Sequence, residues 1–355
     1  MTKIVFIAPY PKGSAPSQRF RFEQYLDKLQ KEGYEVYIES FFSEKGWQKL
    51  YREGGNFGKA MTMISSLIRR FFFVFTISKY DYIFIHREAA MIGPPVIEWM
   101  IAKVFRRKYI YDFDDAIWLP NYSESNARFH RLKMYGKVKK IIKWADHVTA
   151  GNEYLADYAR QFNNNVEVIP TTIDLENVHN QKGNPHQPTP VIGWTGTHTT
   201  GQYLTDLIPV LDELNKDTDF IFRVISNQAP DFNRPYLQFV KWNKSTEIED
   251  LAQFNIGVMP LTDSEWSRGK CGFKGLQYMA LGIPAVMSPV GVNTTIIQNG
   301  QNGFLCSTQQ EWLTSLRMLL MGEQLRSQIG NQGKETVLAS YSVEANTIKY
   351  LKLFK

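Results

Sequence analysis

Lys3-Ile-Val-Phe-Ile-Ala8 is an apolar run that stops at Pro9. A short run of this kind predicts a strand buried on both faces of a parallel sheet. The loop Tyr10-Pro-Lys-Gly-Ser-Ala-Pro-Ser17 then leads into a helical pattern reaching about Lys31, with Ser17 as the expected N-cap. Further strands are predicted at Glu35–Ile38, Tyr82–His86, Tyr109–Asp112, His147–Ala150 and Val166–Ile169. Helical patterns over 59–77, Pro94–Phe105, Arg131–Trp144 and Glu153–Gln161 alternate with them. Alternating βα units imply a parallel sheet covered on both faces.

Residues 180–190 are polar and proline-rich, and they mark the expected domain boundary. The pattern then restarts. Strands are predicted at Val191–Trp194, Asp219–Ile225, Ile256–Leu261 and Ala285–Met287, and helices at 201–215, Glu247–Gln253 and Gly275–Leu281. The remainder reads as mostly helical. Two doubly wound, Rossmann-like α/β domains in tandem are therefore expected, an N-terminal one over 1–180 and a C-terminal one over 181–341. In such sheets ligands sit beyond the carboxyl ends of the strands, so residues just after strands are the candidates for chemistry.

The length of 355 residues agrees with two domains, since single cores stop growing near about 250–300 residues. A composition of 43% hydrophobic and 21% charged residues excludes disordered and fibrous classes. Cys271 and Cys306 are too few for a disulfide framework or a four-cysteine zinc site, and a reducing cytoplasm fits them. The opening residues do not read as a signal peptide, and Phe71–Ser78 alone is far too short to span a bilayer.

Charge is divided unevenly. Residues 1–170 hold 26 basic and 18 acidic side chains, whereas the remaining 185 hold 15 and 17. A basic N-terminal half suits a partner bearing phosphates. The segment Arg131–Trp144, with Lys133, Lys137, Lys139, Lys140 and Lys143, reads as a basic amphipathic helix. Together with 59–79 and Arg106-Arg-Lys108 it makes an anionic membrane surface a candidate partner. No nucleic-acid reader motif is present, so nucleic acid is not expected.

Three loops at strand ends in the C-terminal half suit an anionic ligand. Ser267-Arg-Gly-Lys-Cys-Gly-Phe-Lys274 runs into a helix, so free N–H groups and the side chains of Arg268, Lys270 and Lys274 favour phosphate there. Gly193-Trp-Thr-Gly-Thr-His198 brings Gly196, Thr197 and His198 to the end of a strand, but it is neither G-x-G-x-x-G nor a Walker A loop. Ser288-Pro-Val-Gly-Val-Asn293 is the third loop.

In the N-terminal half, Asp112, Asp114 and Asp115 crowd the end of one strand. Mutual repulsion demands a partner. That partner is a metal in a D-x-D site, an arginine such as Arg87 or Arg131, or a substrate hydroxyl beside a catalytic base. His86 closes another strand as a base or a structural histidine, followed by Arg87 and Glu88. Arg19 and Arg21 stand beside the first loop, where either can clamp a phosphate or carboxylate.

The glycine/proline loop near the N-terminus, the Gly-x-x-x-Leu-Gln-x-Met-Ala-x-Gly-x-Pro segment at 272–284, Ser288-Pro-Val-Gly291 and Asn299-Gly-x-Asn-Gly303 together resemble GT-B glycosyltransferases of the group 1 (family 4) type. The Ala-Pro-Ser-x-Arg-x-Arg and Asp-Phe-Asp-Asp-Ala-x-Trp segments look like a bacterial branch that builds cell-surface glycans. The resemblance implies a retaining transfer of sugar from a nucleotide diphosphate donor such as a UDP- or GDP-sugar, with no cofactor or metal required. It implies a donor site of Gly196, Thr197, His198, Arg268, Lys270, Lys274, Gln277 and Gly291 in the C-terminal domain. It implies a glycan or lipid-linked acceptor at Gly13, Ser14, Ser17, Arg19, Arg21, Arg87 and Glu88, with Asp112, Asp114, Asp115 and His86 as catalytic candidates. It also implies that the last helix, 342–355, packs back on the N-terminal domain, in a cytoplasmic enzyme peripheral to the inner face of the membrane.

The sequence departs from the family's Glu-x7-Glu motif. Gln277 stands where the second glutamate binds ribose, and Gly269 where the first approaches the sugar. No cation follows the first strand of the C-terminal domain, which leaves Lys270 and Lys274 to supply the charge. Two other readings remain: a degenerate fold that binds nucleotide sugar or glycan without transfer, and a metal-dependent transferase using the aspartate cluster.

Overall fold

The computed structural model describes residues 1–50, 54–121, 130–181, 183 and 188–355. The chain forms two compact units, Met1–Thr171 joined by Thr347–Lys355, and Thr172–Asn346. The polar stretch 180–190 lies in the second unit, and its residues 182 and 184–187 are outside the described set.

The first unit is built on six parallel strands: β1 (Lys3–Ala8), β2 (Glu35–Ser40), β3 (Tyr82–His86), β4 (Ile110–Phe113), β5 (His147–Ala150) and β6 (Val166–Val168). Their order is β2-β1-β3-β4-β5-β6, so the direction of winding reverses between β1 and β3. The apolar runs seen in the sequence fill the centre: every residue from Ile4 to Ala8 is inaccessible to solvent. The closing segment covers one face, where Phe354 packs on Phe6 and Phe84 and Tyr350 stacks on Tyr25 at 4.1 Å.

The second unit repeats the plan with β7 (Val191–Gly196), β8 (Ile221–Ser226), β9 (Leu237–Lys241), β10 (Ile256–Met259), β11 (Ala285–Met287) and β12 (Phe304–Leu305). The order is β12-β11-β10-β7-β8-β9, again all parallel, and the winding reverses between β7 and β10. Its core gathers Ile192, Trp194, Val224, Val258, Leu316 and Ile329. This is the two-domain α/β architecture that the alternating pattern predicts.

Local departures have physical causes. The helix expected from Ser17 to Lys31 is three short pieces, Pro16–Arg19, a 3-10 turn Glu23–Tyr25, and Leu26–Lys31. Ser17 is inside the first of these; Ala15 is its N-cap and makes no side-chain cap bond, because Pro16 already fixes the first helical φ. The basic helix expected over 131–144 is also broken. A 3-10 turn ends at Lys133, Met134 takes φ +52°, and the helix proper is Lys137–Trp144. Lys137 faces inward, so of its lysines only Lys139, Lys140 and Lys143 are exposed. β9 went unpredicted because it is an edge strand whose residues are at most half-buried, which erases the alternation.

Candidate functional site

In the first unit the carboxyl ends of β3, β4 and β5 assemble one polar cluster. β4 brings Asp112 to a position 2% exposed. Its Oδ1 accepts from the Thr149 hydroxyl at 2.7 Å and from the Arg21 guanidinium, while Oδ2 lies 2.7 Å from His86 Nδ1. Arg21 also donates to the Ile169 carbonyl. Burial pushes the Asp112 carboxyl up, but the Arg21 charge and the hydrogen bonds from His86 and Arg21 outweigh it and hold it well below the ordinary carboxylate range. An ionised Asp112 accepts a proton-bearing Nδ1, which fixes the tautomer of His86. His86 is fully buried, and its Nε2 has no hydrogen-bond partner.

A second group stands beside the first. Arg87 takes φ +59°, a left-handed conformation unusual for a side-chain-bearing residue, and its N–H donates to the Asp112 carbonyl at 2.7 Å. That geometry turns its guanidinium toward the loop after β4, where Nε meets Asp114 at 2.7 Å and Nη2 meets Asp115 at 2.5 Å. The Asp114 carboxyl, raised by burial, is lowered overall by the Arg87 charge. All three aspartates are therefore ion-paired, Asp112 with Arg21 and both Asp114 and Asp115 with Arg87. Among the described residues, no group of three or more His, Cys, Asp or Glu is arranged to hold a metal ion, and the Asp114 and Asp115 carboxylates are each paired with Arg87.

Glu88 turns away from this centre. Its carboxylate lies 2.8 Å from Lys137 Nζ, which also donates to the Ala90 carbonyl, and both side chains are buried. Arg21 and Glu88, read from sequence as acceptor contacts, are thus engaged inside the domain: a buried charge is tolerated only when paired.

The first loop is held by two residues that the sequence reading passed over. Buried Gln18 accepts from the Tyr10 N–H at 2.7 Å and donates to the Tyr10 carbonyl at 3.0 Å and to Glu23 at 3.0 Å. Glu23 in turn accepts from the Gly13 N–H at 2.8 Å. Ser14 donates its N–H to the Pro11 carbonyl at 3.1 Å, and Ser14, Ser17 and Arg19 stay part-exposed. The Arg19 guanidinium lies 4.9 Å over the Phe20 ring. The only signal for Gln18 and Glu23 is their position within two turns after the Gly/Pro loop.

In the second unit three loops meet at the β7/β10 reversal. Thr197 caps the turn His198–Gly201 through a reciprocal bond with Thr200, and the exposed His198 donates its N–H to Asn227 at 2.8 Å. Gly196 ends β7 against the Trp194 ring and Thr200. Tyr203, just beyond, is 3.2 Å from the Ser267 hydroxyl, which ties this loop to the helix Glu265–Arg268. Gly291, with φ +57°, lies flat against that helix: a Cβ on it would stand 2.6 Å from the Arg268 carbonyl oxygen. Lys274 Nζ is 5.8 Å from the Trp194 ring centre and Lys270 Nζ 5.8 Å from that of Trp266. Both lysines flank Gly272, the N-cap of the helix Phe273–Ala280.

Two donor candidates are occupied otherwise. Arg268 forms a two-pronged pair with Asp263, at 2.7 and 2.9 Å. Gln277 is 1% exposed and faces His179, Nε2 to Nε2, at 3.4 Å.

Tyr278 is the positioning residue that the sequence did not reveal. From the helix it accepts from the Thr195 N–H at 3.1 Å and reaches the Val258 carbonyl at 3.5 Å, locking the ends of β7 and β10 together. Gly257 makes room for its ring, since a Cβ there would lie 2.2 Å from the Tyr278 ring. Gly257→Ala is expected to cost about 1–3 kcal/mol of stability in this unit, read from its denaturant midpoint.

Residues 189–321, which contain all six strands of the second sheet and all three loops, match the family described as Glycosyl transferases group 1. Solved structures match over the whole length. Sucrose-phosphate synthase from Thermosynechococcus elongatus superposes with a TM-score of 0.74 at 13% identity, covering 100% of this chain and 98% of that one. Anabaena HepE in complex with UDP gives 0.67 at 14%, with 99% of each chain covered. The chain has the GT-B fold, with a glycosyl transferases group 1 domain over residues 189–321. The catalytic domain of starch synthase IV from Arabidopsis thaliana, bound to ADP and acarbose, shares the fold with a TM-score of 0.68 at 12% identity, covering 99% of this chain and 98% of that one. No curated protein matches the chain by sequence.

Proposed function

We propose that this chain is a glycosyltransferase that moves a sugar from a UDP- or GDP-sugar to a hydroxyl of a glycan or lipid-linked acceptor, with retention at the anomeric carbon and without a metal or other cofactor. The second unit holds the donor and the first the acceptor. The observation that carries the donor half is the meeting of the 195–200, 264–274 and 288–292 loops at the β7/β10 reversal, inside the matched segment. Open α/β sheets take ligands at such a reversal.

The chemistry follows from charge. As the bond from sugar to diphosphate breaks, negative charge gathers on the leaving phosphate. Lys270, Lys274 and the positive end of the helix Phe273–Ala280 oppose that charge. In the first unit, Asp114 and Asp115 remain part-exposed and are aimed by Arg87, which suits them to accept a hydrogen bond from the acceptor hydroxyl. Asp112 and His86, being buried, set the frame on which these groups stand.

A thermal-shift series with UDP, GDP, dTDP and CMP, with and without EDTA, tests the reading. One nucleoside diphosphate is expected to raise Tm in both conditions. Saturation at about 100 times Kd corresponds to about 2.7 kcal/mol. A shift abolished by EDTA would replace the metal-free reading with a metal-dependent one. No shift with any nucleotide would remove the donor site.

A further inference from the structure

The longest helix of the first unit carries more apolar surface than the domain uses. Asn56–Phe73, continued by the 3-10 turn Val74–Lys79, turns Ser66, Arg70, Val74 and Ile77 inward. Phe57, Ile64, Ile68, Phe72 and Phe75 remain exposed, Phe57 by 81% and Phe72 by 65%. By length and composition this is the one segment among the described residues apolar enough to cross a membrane, although only 22% of its most apolar stretch is buried. It is nevertheless fastened to the sheet. Arg70 Nη2 donates to the carbonyls of Ala8 and Glu39, and Arg69 to those of Ser40 and Phe41.

A groove of about 760 Å³ runs beside this helix, within the size range of ligand sites. Its walls are apolar, including Leu67, Ile68, Phe71, Ile97, Leu132 and Met134, and its polar side chains are Arg70 and Arg131. Arg70 is 1% exposed, yet its Nε and Nη1 have no acceptor. Burial pushes its guanidinium down to about 10, so it is still cationic at neutral pH. A buried cation with two unused donors calls for an anion. Arg131 on the groove wall has no ion-pair partner among the described residues, nor do Lys59 and Lys79 on the exposed helix and its 3-10 continuation, or Lys103 and Arg106 elsewhere in the unit.

We infer that this groove binds one hydrocarbon chain of an anionic bilayer lipid, with the lipid phosphate at Arg70 and Arg131 and the exposed helix face lying in the membrane interface. An apolar face edged by cations is the arrangement that holds a protein on anionic lipid. A second copy of the chain fits less well, because a symmetric contact would set the unpaired cations against each other. The inference concerns the first unit alone and stands apart from the donor reading.

Flotation of the full chain with phosphatidylcholine vesicles, with and without phosphatidylglycerol, tests it. The protein floats with the mixed vesicles and not with phosphatidylcholine alone. Binding of cis-parinaric acid, an anionic fluorescent fatty acid, reports the groove itself. The pair Ile68→Asp and Phe72→Asp, and separately Leu132→Asp, weaken both by at least about tenfold, as the loss of a few buried methylenes predicts. The nucleotide-induced Tm shift of the same variants stays at the wild-type value, which separates a failure here from a failure of the donor site. Absence of flotation, or flotation and parinaric acid binding untouched by the substitutions, would overturn the inference. So would a concentration-dependent dimer that the same substitutions dissociate, since a second copy would then cover the face.

Discussion

Replacing Lys270 and Lys274 together with alanine is expected to weaken nucleoside diphosphate binding by more than about tenfold, or 1.4 kcal/mol, while the fold persists. Both side chains are part-exposed and lie beside aromatic rings rather than inside the core. Their removal therefore takes positive charge from the start of the Phe273–Ala280 helix without opening a cavity. The expectation is sharpened by what surrounds them: Arg268 is committed to Asp263, and the loop after β7 offers Thr197 and His198 but no arginine or lysine. Isothermal titration of UDP and GDP against wild type and double variant decides it. Unchanged affinity would mean that phosphate is held by backbone N–H groups alone. A single Lys→Arg change at either position preserves charge and should retain most of the binding.

Asp112→Asn is expected to be the most destabilising single change in the first unit. It leaves Arg21, 3% exposed, without its charge partner and sets an amide against three donors. Breaking a buried pair from one side costs about 3–5 kcal/mol. The measurement is the denaturant midpoint of the unit, with Thr149→Val as a milder control that loses one hydrogen bond, about 1 kcal/mol. The same pair sets a pH dependence. Because the folded Asp112 carboxyl is held below its ordinary value, its contribution is complete above that value, near pH 4, and is lost as the pH falls toward the lower folded value. Wild-type stability should decline on acidification below about pH 4, and the Asp112→Asn variant should lack that part of the decline.

The arginine pairs explain why candidate residues of one type parted company. Arg21 and Asp112 are 91 positions apart, and Arg87 and Asp114 are 27 apart. Nothing in local spacing says which arginine meets which carboxylate. Parallel pairing does, because β3, β4 and β5 end on the same edge and bring His86, Asp112 and Thr149 into register. Lys137 shows the same effect: by residue type it counts with the basic side chains of its segment, but it lies on the buried face with Val138 and Ile141 and pairs there with Glu88.

The helix Asn56–Phe73 gives the opposite lesson. Its basic and aromatic composition was legible, and so was the surplus of positive charge in this half of the chain. Its exposed face was not legible, because apolar residues on a helix usually mark the side that packs. Only the fold shows that the sheet is already served by Ser66, Arg70, Val74 and Ile77, leaving the phenylalanines outside.

The sequence alone determined the two α/β units, their restart near residue 191, the central strands and the three glycine-bearing loops of the second unit. These are written in short-range order: apolar runs, glycine and proline between them, and cations beside a helix start. The tertiary structure alone decided which charges are spent on one another, that Gln18, Glu23 and Tyr278 hold the loops, that Gln277 is enclosed, and that an apolar groove flanks the exposed helix. Each of these depends on contacts between residues far apart in the chain, and it is the order of strands in a sheet, not the spacing of residues along it, that brings such pairs together.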